Sequence, residues 1–224
     1  MPLILNIDTA TEVASVCISE KDEVLGAIGN EDQKQHASFL QAGIKSLLDT
    51  CGIKFNDLSA VSVTAGPGSY TGLRVGIASA KGFCYALKIP LILLNTLEVI
   101  AIAAIKSNKT EGVVLFCPMI DARRTEVFTA VYNEDMEEII FPCVMKIENN
   151  SFSKLLNKQK IFFMGSGAKK TSAVINHPNA IFANFRISPI QALAYLSSQS
   201  FKNQSFADVA LADALYIKEF FTIS

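Results

Sequence analysis

The two halves of the chain repeat one order of predicted elements, and this duplication limits the possible folds more than any other feature. In the first half, the apolar run Leu3–Ile7 ends at Asp8 and is followed by a predicted hairpin. In the second half, the apolar run Val113–Ile120 ends at Asp121 and is again followed by a hairpin. Farther along each half, an apolar strand enters a Gly-x-Gly turn and then a helix. Two such copies predict two stacked α/β lobes with a cleft between them; the alternative is a chance similarity of two βα stretches.

The predicted layout is that of the actin-like superfamily, which also contains acetate kinases, sugar kinases and heat-shock chaperones. We therefore expect an α/β fold of two duplicated lobes with mixed sheets flanked by helices. We assign residues 1–106 to an N-terminal lobe and residues 107–224 to a smaller, degenerate C-terminal lobe. Apolar periodicity predicts helices over His36–Cys51, Thr71–Leu87 and, last in the chain, Ala207–Glu219. We expect this last helix to pack back against the N-terminal lobe.

Composition and charge exclude several classes of protein. Of the 224 residues, 50% are hydrophobic and 18% are charged, which is enough to bury a core and excludes wholesale disorder. The 20 basic and 21 acidic side chains nearly cancel, which argues against a protein that holds nucleic acid through its overall field. The stretch 146–170 contains six lysines and one glutamate. An acidic partner could use this local charge, but we interpret the stretch as a solvated face.

Neither export nor membrane insertion is expected. The beginning of the chain, Met1–Asp8, has no basic leader. The most apolar zone, Ile89–Ile105, is interrupted by polar residues and proline well before the ~18–20 uninterrupted apolar residues of a membrane span. The 5 cysteines are scattered without a paired spacing, and their odd number fits reduced thiols. We therefore expect a cytoplasmic protein that contacts no membrane.

Three features are candidate remnants of a nucleotide-binding cleft. In an actin-like fold, a carboxylate at the end of the first strand of each lobe, here Asp8 and Asp121, would hold a metal-bound triphosphate. The turn Gly165-Ser166-Gly167 precedes a predicted helix, where backbone N–H groups would cradle phosphate. An aspartate at the end of a strand is also common as a turn residue or N-cap, so both interpretations stay open. The catalytic alternative is an active ATP-dependent phosphotransferase that uses these groups.

The chain is poorly equipped for other chemistry. The turn Gly66–Gly72 has neither the glycine spacing of a dinucleotide-binding loop nor the Gly-Lys-Ser/Thr of a P-loop. The 2 histidines, His36 and His177, are far apart in sequence, and no cysteine pair completes a metal site. Ser69 lacks the glycine spacing of a nucleophile elbow and has no evident base. We therefore expect no catalytic residue, no metal and no intrinsic cofactor.

Two predicted helices carry rows of small residues that indicate a partner-docking surface. Glycine inside a helix costs about 1 kcal/mol relative to alanine, so repeated glycines call for the close approach of another backbone. Arg74 lies beside the glycine row and would suit a carboxylate on a partner. The alternative is that both rows pack inside their own domain. The candidate interface consists of His36, Ser38, Ala42, Ser46, Gly72, Arg74, Gly76 and Ala80.

The glycine turn and two further motifs carry a resemblance to a known family. The eleven residues Gly66–Gly76, GPGSYTGLRVG, closely resemble the signature of the TsaB family. The opening motif Ile7–Thr11 and the stretch Asp121–Val127 resemble the same family. Two departures are Tyr70, where phenylalanine is usual, and Ala214–Lys218, where the family tends to have Pro-x-Tyr-Leu-Arg.

This resemblance implies an actin-like protein that has lost catalysis. TsaB chains are the scaffold and dimerisation subunit of the bacterial complex that places threonylcarbamoyl on the adenosine beside the tRNA anticodon. The paralogous TsaD subunit has paired metal-binding histidines and performs the transfer, and the ATPase TsaE joins the assembly. The resemblance therefore implies partnership with TsaD and TsaE, a homodimer when the chain is alone, and only indirect contact with tRNA. It also implies ATP or ADP only at an interface of the complex, and no peptidase activity.

Overall fold

The computed structural model describes residues 1–32, 36–107, 114–182 and 188–217 of the chain. The chain divides into two compact units, each with its own five-stranded sheet. The first unit contains Met1–Val99 and Ser188–Leu215, and the second begins at Ile100. Within the described ranges, no helix has the length and apolar content needed to cross a membrane.

Strands and helices alternate along the chain much as the apolar patterns predict. The strands are β1 Leu3–Asp8, β2 Ala14–Glu20, β3 Glu23–Asn30, β4 Ala60–Gly66, β5 Leu91–Asn95, β6 Val114–Asp121, β7 Glu126–Tyr132, β8 Glu138–Lys146, β9 Lys160–Met164 and β10 Ala180–Phe182. The helices are α1 His36–Cys51, α2 Tyr70–Leu87, α3 Thr96–Ser107, α4 Ser153–Leu156, α5 Ala168–Ser172 and α6 Ile190–Lys202.

The two sheets have the same topology. The first has the strand order β3-β2-β1-β4-β5, with β1 antiparallel to β2 and parallel to β4. The second has the order β10-β9-β6-β7-β8, with β6 antiparallel to β7 and parallel to β9. Each sheet therefore starts with a three-stranded meander and continues with two parallel strands on the other side of the first strand. This repeat confirms the predicted mixed sheets of a duplicated α/β fold.

Helices cover both faces of the first sheet. On one face, apolar side chains of α1 and α2 pack with those of β1 and β2, including Leu40, Ile44, Ile77, Ile7 and Val16. On the other face, the Cys17 thiol lies 4.0 Å from the carbonyl oxygen of Ile190, at the start of α6. Because both faces are covered, all seven residues of β4 are buried. In the second unit, α4 and α5 pack against the sheet around buried aromatic and apolar side chains such as Phe163 and Leu156.

The C-terminal part of the first unit corrects a prediction. Residues 207–217 are not helical, and Lys218 and Glu219 lie outside the described residues. The segment instead runs along the first unit as irregular backbone with a turn over 209–211, where the Ala207 N–H donates to Leu91 O at 2.8 Å and the Leu215 N–H donates to Ala65 O at 2.7 Å. The prediction of a helix is wrong because the apolar residues contact the core of the first unit in this irregular form: Ala207, Val209, Ala212 and Ala214.

The division of the chain also differs from the predicted boundary. The boundary between the two units lies after Val99, inside α3, whereas we predicted it after residue 106. Residues 188–215 belong to the first unit, although we assigned residues 107–224 to the second lobe. The physical reason is that α6 and the non-helical segment after it, which we call the strap (residues 203–215), pack on the first unit.

Candidate functional site

The glycine row of α2 packs inside the first unit. A Cβ atom at Gly72 would overlap the carbonyl oxygen of Thr9, and one at Gly76 would overlap the Thr9 hydroxyl. The same Thr9 hydroxyl donates to Gly72 O at 2.7 Å, which ties the end of β1 to the start of α2. Gly72, Gly76 and Ala80 are buried. These three predicted interface residues therefore lie inside their own unit, where Thr9 occupies the space beside Gly72 and Gly76.

The glycine turn before α2 has a similar explanation. A Cβ atom at Gly68 would overlap the carbonyl oxygen of Ala10, and the Ser69 N–H donates to that same oxygen at 2.7 Å. Gly66 has a φ of +122°, which L side chains rarely adopt. The turn is therefore closed against residues 8–10, and its glycines permit contact between two backbones.

Asp8 is an acceptor inside the first unit. It is 2% exposed, and its Oδ1 accepts hydrogen bonds from the Ala10 N–H at 3.0 Å and from the Thr64 hydroxyl at 2.9 Å. These bonds connect the end of β1 with β4 and with the turn that meets α2. The carboxylate thus stabilises the junction on which the N-terminus of α2 rests.

Asp121 has a cationic partner in the second unit. Its Oδ1 accepts from the Lys170 ammonium at 2.8 Å and from the Arg123 N–H at 2.6 Å. Partial burial acts to raise the pKa of Asp121, but the hydrogen bonds from Lys170 and Arg123 and the charge of Lys170 outweigh it, so the pKa is lowered. In addition, the Ser166 hydroxyl accepts from the Asp121 N–H at 3.1 Å, which attaches the glycine turn to the end of β6.

The glycines of the second turn also serve close packing. A Cβ atom at Gly165 would overlap the carbonyl oxygen of Met119, and one at Gly167 would lie 2.8 Å from Val127 Cγ1. The Gly167 N–H donates to Met119 O at 3.1 Å, so the turn packs directly against the backbone of β6. The helix that follows, α5, has only five residues.

An actin-like fold implies Mg²⁺ and ATP, and each of the two aspartates proposed to hold them already has protein partners. Asp8 accepts two internal hydrogen bonds, and Asp121 accepts the ammonium of Lys170. Among the residues that the structure describes, no group of three or more histidine, cysteine or acidic side chains is placed to hold a metal ion.

The exposed side of α1 and α2 remains as a candidate interface. Ser38, Ala42 and Ser46 are exposed along α1, as predicted for an outward row. The Gln41 amide donates to the Ser79 hydroxyl at 2.9 Å, so the two helices lie side by side. His36 begins α1, but its side chain lies outside the described part of the structure. We call this surface the α1/α2 face; on α2 its exposed residues are Arg74, Ala78, Gly82 and Tyr85.

Two residues distinguish the α1/α2 face from the buried glycine row. A Cβ atom added at Gly82 would have no neighbour within 4 Å, so no internal contact requires a glycine there. Tyr85, nearly one turn farther along α2, is 83% exposed. Tyr85 is not among the predicted interface residues, because the pattern that predicts the interface consists of small residues. Tyr85 lies three residues after Gly82, and this spacing places it on the same side of the helix. Arg74 is exposed, and its guanidinium carbon lies 4.1 Å from the centre of the Tyr70 ring.

Known proteins resemble the chain in sequence. The model of the family described as TsaD, tRNA N6-adenosine threonylcarbamoyltransferase, matches residues 12–219. The chain is 33% identical over 140 residues to the tRNA threonylcarbamoyladenosine biosynthesis protein TsaB of Bacillus subtilis, and 35% identical over 132 residues to that of Escherichia coli. These alignments cover 61% and 59% of this chain, and 59% and 55% of the two relatives, so the chain spans little more than half their length.

Other matches extend over most of the chain. The TsaB of Haemophilus influenzae is 28% identical over 218 residues, which are 96% of this chain and 83% of the relative. A crystal structure of an uncharacterized Pseudomonas aeruginosa protein with similarity to peptidase YeaZ superposes with a TM-score of 0.82 at 22% identity, over 97% of this chain and 100% of that chain. YeaZ from the same organism superposes with a TM-score of 0.78 at 22% identity, over 96% of this chain and 100% of that chain. These two structures share the α/β fold of this chain, and together with the family model they support the predicted actin-like architecture.

Proposed function

Because the chain belongs to the TsaD family and, within it, to the TsaB proteins, we propose that it is a non-catalytic scaffold subunit in the biosynthesis of threonylcarbamoyladenosine in tRNA. Its partner is the TsaD-type subunit that performs the transfer beside the anticodon, and a TsaE-type ATPase joins the assembly. The chain forms a homodimer when no partner is present. Any ATP or ADP binds at an interface of the complex.

The observation that carries this proposal is the open position of Gly82. A glycine inside a helix costs about 1 kcal/mol relative to alanine. At Gly72 and Gly76 the cost is offset by close packing against Thr9, but at Gly82 nothing in the described structure lies near enough to require a missing side chain. The close approach of a partner backbone would supply the reason, because small residues let two helices come near each other.

The rest of the α1/α2 face suits a protein partner. Helices of 16 and 18 residues, α1 and α2, offer a length of about 24–27 Å each. Exposed tyrosine and arginine are the side chains that most often dominate protein–protein interfaces, and Tyr85 and Arg74 lie on this face. Stacking on Tyr70 orients the Arg74 guanidinium, which would then pair with a carboxylate of the partner.

The state of the two aspartates supports a scaffold and does not favour the phosphotransferase. Asp8 stabilises the junction beneath α2, and Asp121 is paired with Lys170. Calorimetry of the isolated chain with Mg-ATP tests this point directly. We expect no phosphoryl transfer, and turnover by the chain alone would contradict the proposal.

The proposed interface is tested by placing a large side chain at its centre. We expect Gly82→Leu to prevent complex formation with the TsaD protein of the same organism in size-exclusion chromatography and calorimetry. The same change should leave the fold intact, because the position is open. The matched control is Gln191→Leu, which places leucine at an exposed position of α6 in the same unit. A tRNA-modification assay with and without the chain measures the consequence.

If Gly82→Leu binds TsaD as well as the wild-type chain does, the interface assignment is wrong. If the wild-type chain neither binds TsaD nor increases tRNA modification, the proposed function is wrong. Gly76→Leu is unsuitable for this purpose, since its side chain would collide with Thr9 inside the unit.

A further inference from the structure

The turn between β6 and β7 holds two consecutive arginines in an unusual backbone conformation. Arg123 has a φ of 71° and Arg124 a φ of 47°, a region that residues other than glycine, asparagine and aspartate seldom enter. Both arginines are exposed, and among the described residues neither guanidinium forms an ion pair.

Neighbouring groups leave these positive charges uncompensated. Asp121, two residues before Arg123, already accepts the ammonium of Lys170 at 2.8 Å. Lys170 also donates to the Arg124 carbonyl oxygen at 3.2 Å, which brings α5 next to the turn. The adjacent Lys169 is exposed. We call the group Arg123, Arg124 and Lys169 the basic tip.

Acidic groups near the basic tip have other neighbours. Glu126, at the start of β7, is half-buried and has an interaction partner of its own. Glu148, beyond the end of β8, pairs with Lys146 at 2.9 Å. The tip therefore presents an excess of positive charge at the end of the second sheet where β6 finishes.

The chemistry of the tip is that of phosphate recognition. Guanidinium groups donate paired hydrogen bonds in a fork that matches phosphate oxygens, and consecutive arginines allow contacts to successive phosphates. We infer that the basic tip contacts the phosphate backbone of RNA when the chain is assembled with its partner, a direct contact that departs from the indirect one implied by the resemblance to the TsaB family. The inference rests on the proposed function, which brings a tRNA to the complex. Two or three phosphate contacts add affinity to that complex but are too few for tight binding by the chain alone.

The test is the salt dependence of tRNA binding by the complex of the full chain with the TsaD protein of the same organism. Fluorescence anisotropy with end-labelled tRNA is measured over a series of salt concentrations for the wild type and for Arg123→Gln/Arg124→Gln. Each phosphate contact contributes about −0.7 to −0.9 to the slope of log K against log [salt], so the double variant should reduce the slope by about 1.5. Inorganic phosphate and ATP, added at matched ionic strength, should not displace the tRNA.

The matched control is Lys158→Gln/Lys160→Gln, which removes the same charge from exposed positions of the second unit. Lys160 begins β9 and pairs in register with Val114 at the start of β6, so the control lies at the opposite end of the sheet from Asp121. We expect the control to keep the wild-type slope.

Three outcomes overturn the inference. The first is an equal slope for the arginine variant and the control. The second is displacement of the tRNA by inorganic phosphate or ATP, which would assign the tip to a small phosphate ligand. The third is loss of TsaD binding by the arginine variant, measured by size-exclusion chromatography, which would assign the tip to an acidic protein surface. If the wild-type complex does not form, the proposed function fails. The contact of the basic tip with RNA is then tested by the same salt series on the isolated wild-type and Arg123→Gln/Arg124→Gln chains at high concentration.

Discussion

At the scale of single residues, the three glycines of α2 show how one residue type serves opposite purposes. Gly72 and Gly76 lie against Thr9, and the absence of side chains at both positions lets the residue after β1 contact α2 closely. Gly82 faces open space, and its missing side chain has no internal use. Substitution by alanine should therefore change stability in opposite directions at the two kinds of position.

We expect Gly72→Ala to lower the free energy of unfolding by about 1–3 kcal/mol, since the added methyl group overlaps Thr9 O and forces a shift of the β1 end. Gly82→Ala should raise it by about 0.8–1 kcal/mol, because alanine favours the helix and meets no neighbour. Urea denaturation of the two variants measures both effects. A loss of stability in Gly82→Ala would mean that the position is not open.

The pair of Asp121 and Lys170 makes a prediction about pH. The pKa of Asp121 is lowered in the folded chain, so its carboxylate stays charged there at a pH at which the unfolded chain is already taking up a proton. The pair thus stabilises the fold above the ordinary aspartate pKa of 3.8, and this contribution is lost as the pH falls through the folded value. Lys170→Met should lower the urea midpoint at neutral pH, and the difference from the wild type should shrink as the pH falls below the ordinary aspartate pKa of 3.8 and through the lower folded value. Lys169→Met, a change at a neighbouring exposed lysine, should show no such trend.

At the scale of elements, the strap is held by backbone hydrogen bonds and by one lysine of α2. The Lys81 ammonium donates to Ala210 O at 3.1 Å and to Ala212 O at 2.8 Å. These bonds join the strap to the same helix that carries the α1/α2 face.

We expect Lys81→Met to loosen the strap while the rest of the first unit stays folded. Without the two bonds from the ammonium, the amide of Leu215 should exchange its hydrogen faster, because its bond to Ala65 O would open more often. Amides inside β1 and β4 should keep their protection, since both strands are buried. Hydrogen exchange followed by mass spectrometry measures this, and equal exchange at Leu215 in both proteins would contradict the role of Lys81.

At the scale of the whole molecule, the exposed aromatic residues distinguish the proposed interface from the remaining surface. Tyr85 on α2 is 83% exposed and Phe141 on β8 is 72% exposed. We expect Tyr85→Ala to weaken binding to TsaD by roughly 30-fold, the effect of an interface residue worth about 2 kcal/mol. Phe141→Ala should leave the affinity unchanged, and calorimetry compares the two. Equal losses for both variants would show that the α1/α2 face has no special role.

Much of the architecture could be predicted from local patterns. The buried strands β1 and β6 correspond to apolar runs that end at Asp8 and Asp121, and the repeat of strand, hairpin and helix identified the duplicated sheets. The strap could not be predicted in this way, because Ala207–Glu219 is as compatible with a helix as with an extended segment. Its conformation depends on hydrogen bonds to Leu91 and Ala65, which are far away in sequence.

The candidate site could be predicted only in part for the same reason. Small residues at four-residue spacing indicate that a backbone comes close, but they carry no information about which chain that backbone belongs to. Ser38, Ala42 and Ser46 are exposed along α1, so the structure leaves this row open to a partner. For Gly72 and Gly76 the neighbour is Thr9, and the hydrogen bond between Thr9 and Gly72 joins residues 63 positions apart.

The amino-acid sequence by itself determined the order of elements, the duplicated topology and the family, because apolar periodicity and short motifs are properties of neighbouring residues. The tertiary structure alone decided that Gly72 and Gly76 face inward while Gly82 faces outward, and that Asp8 and Asp121 are engaged by Thr64 and Lys170. The physical reason is that exposure and hydrogen-bond partners arise from contacts between distant segments, which form only when the sheets and helices pack.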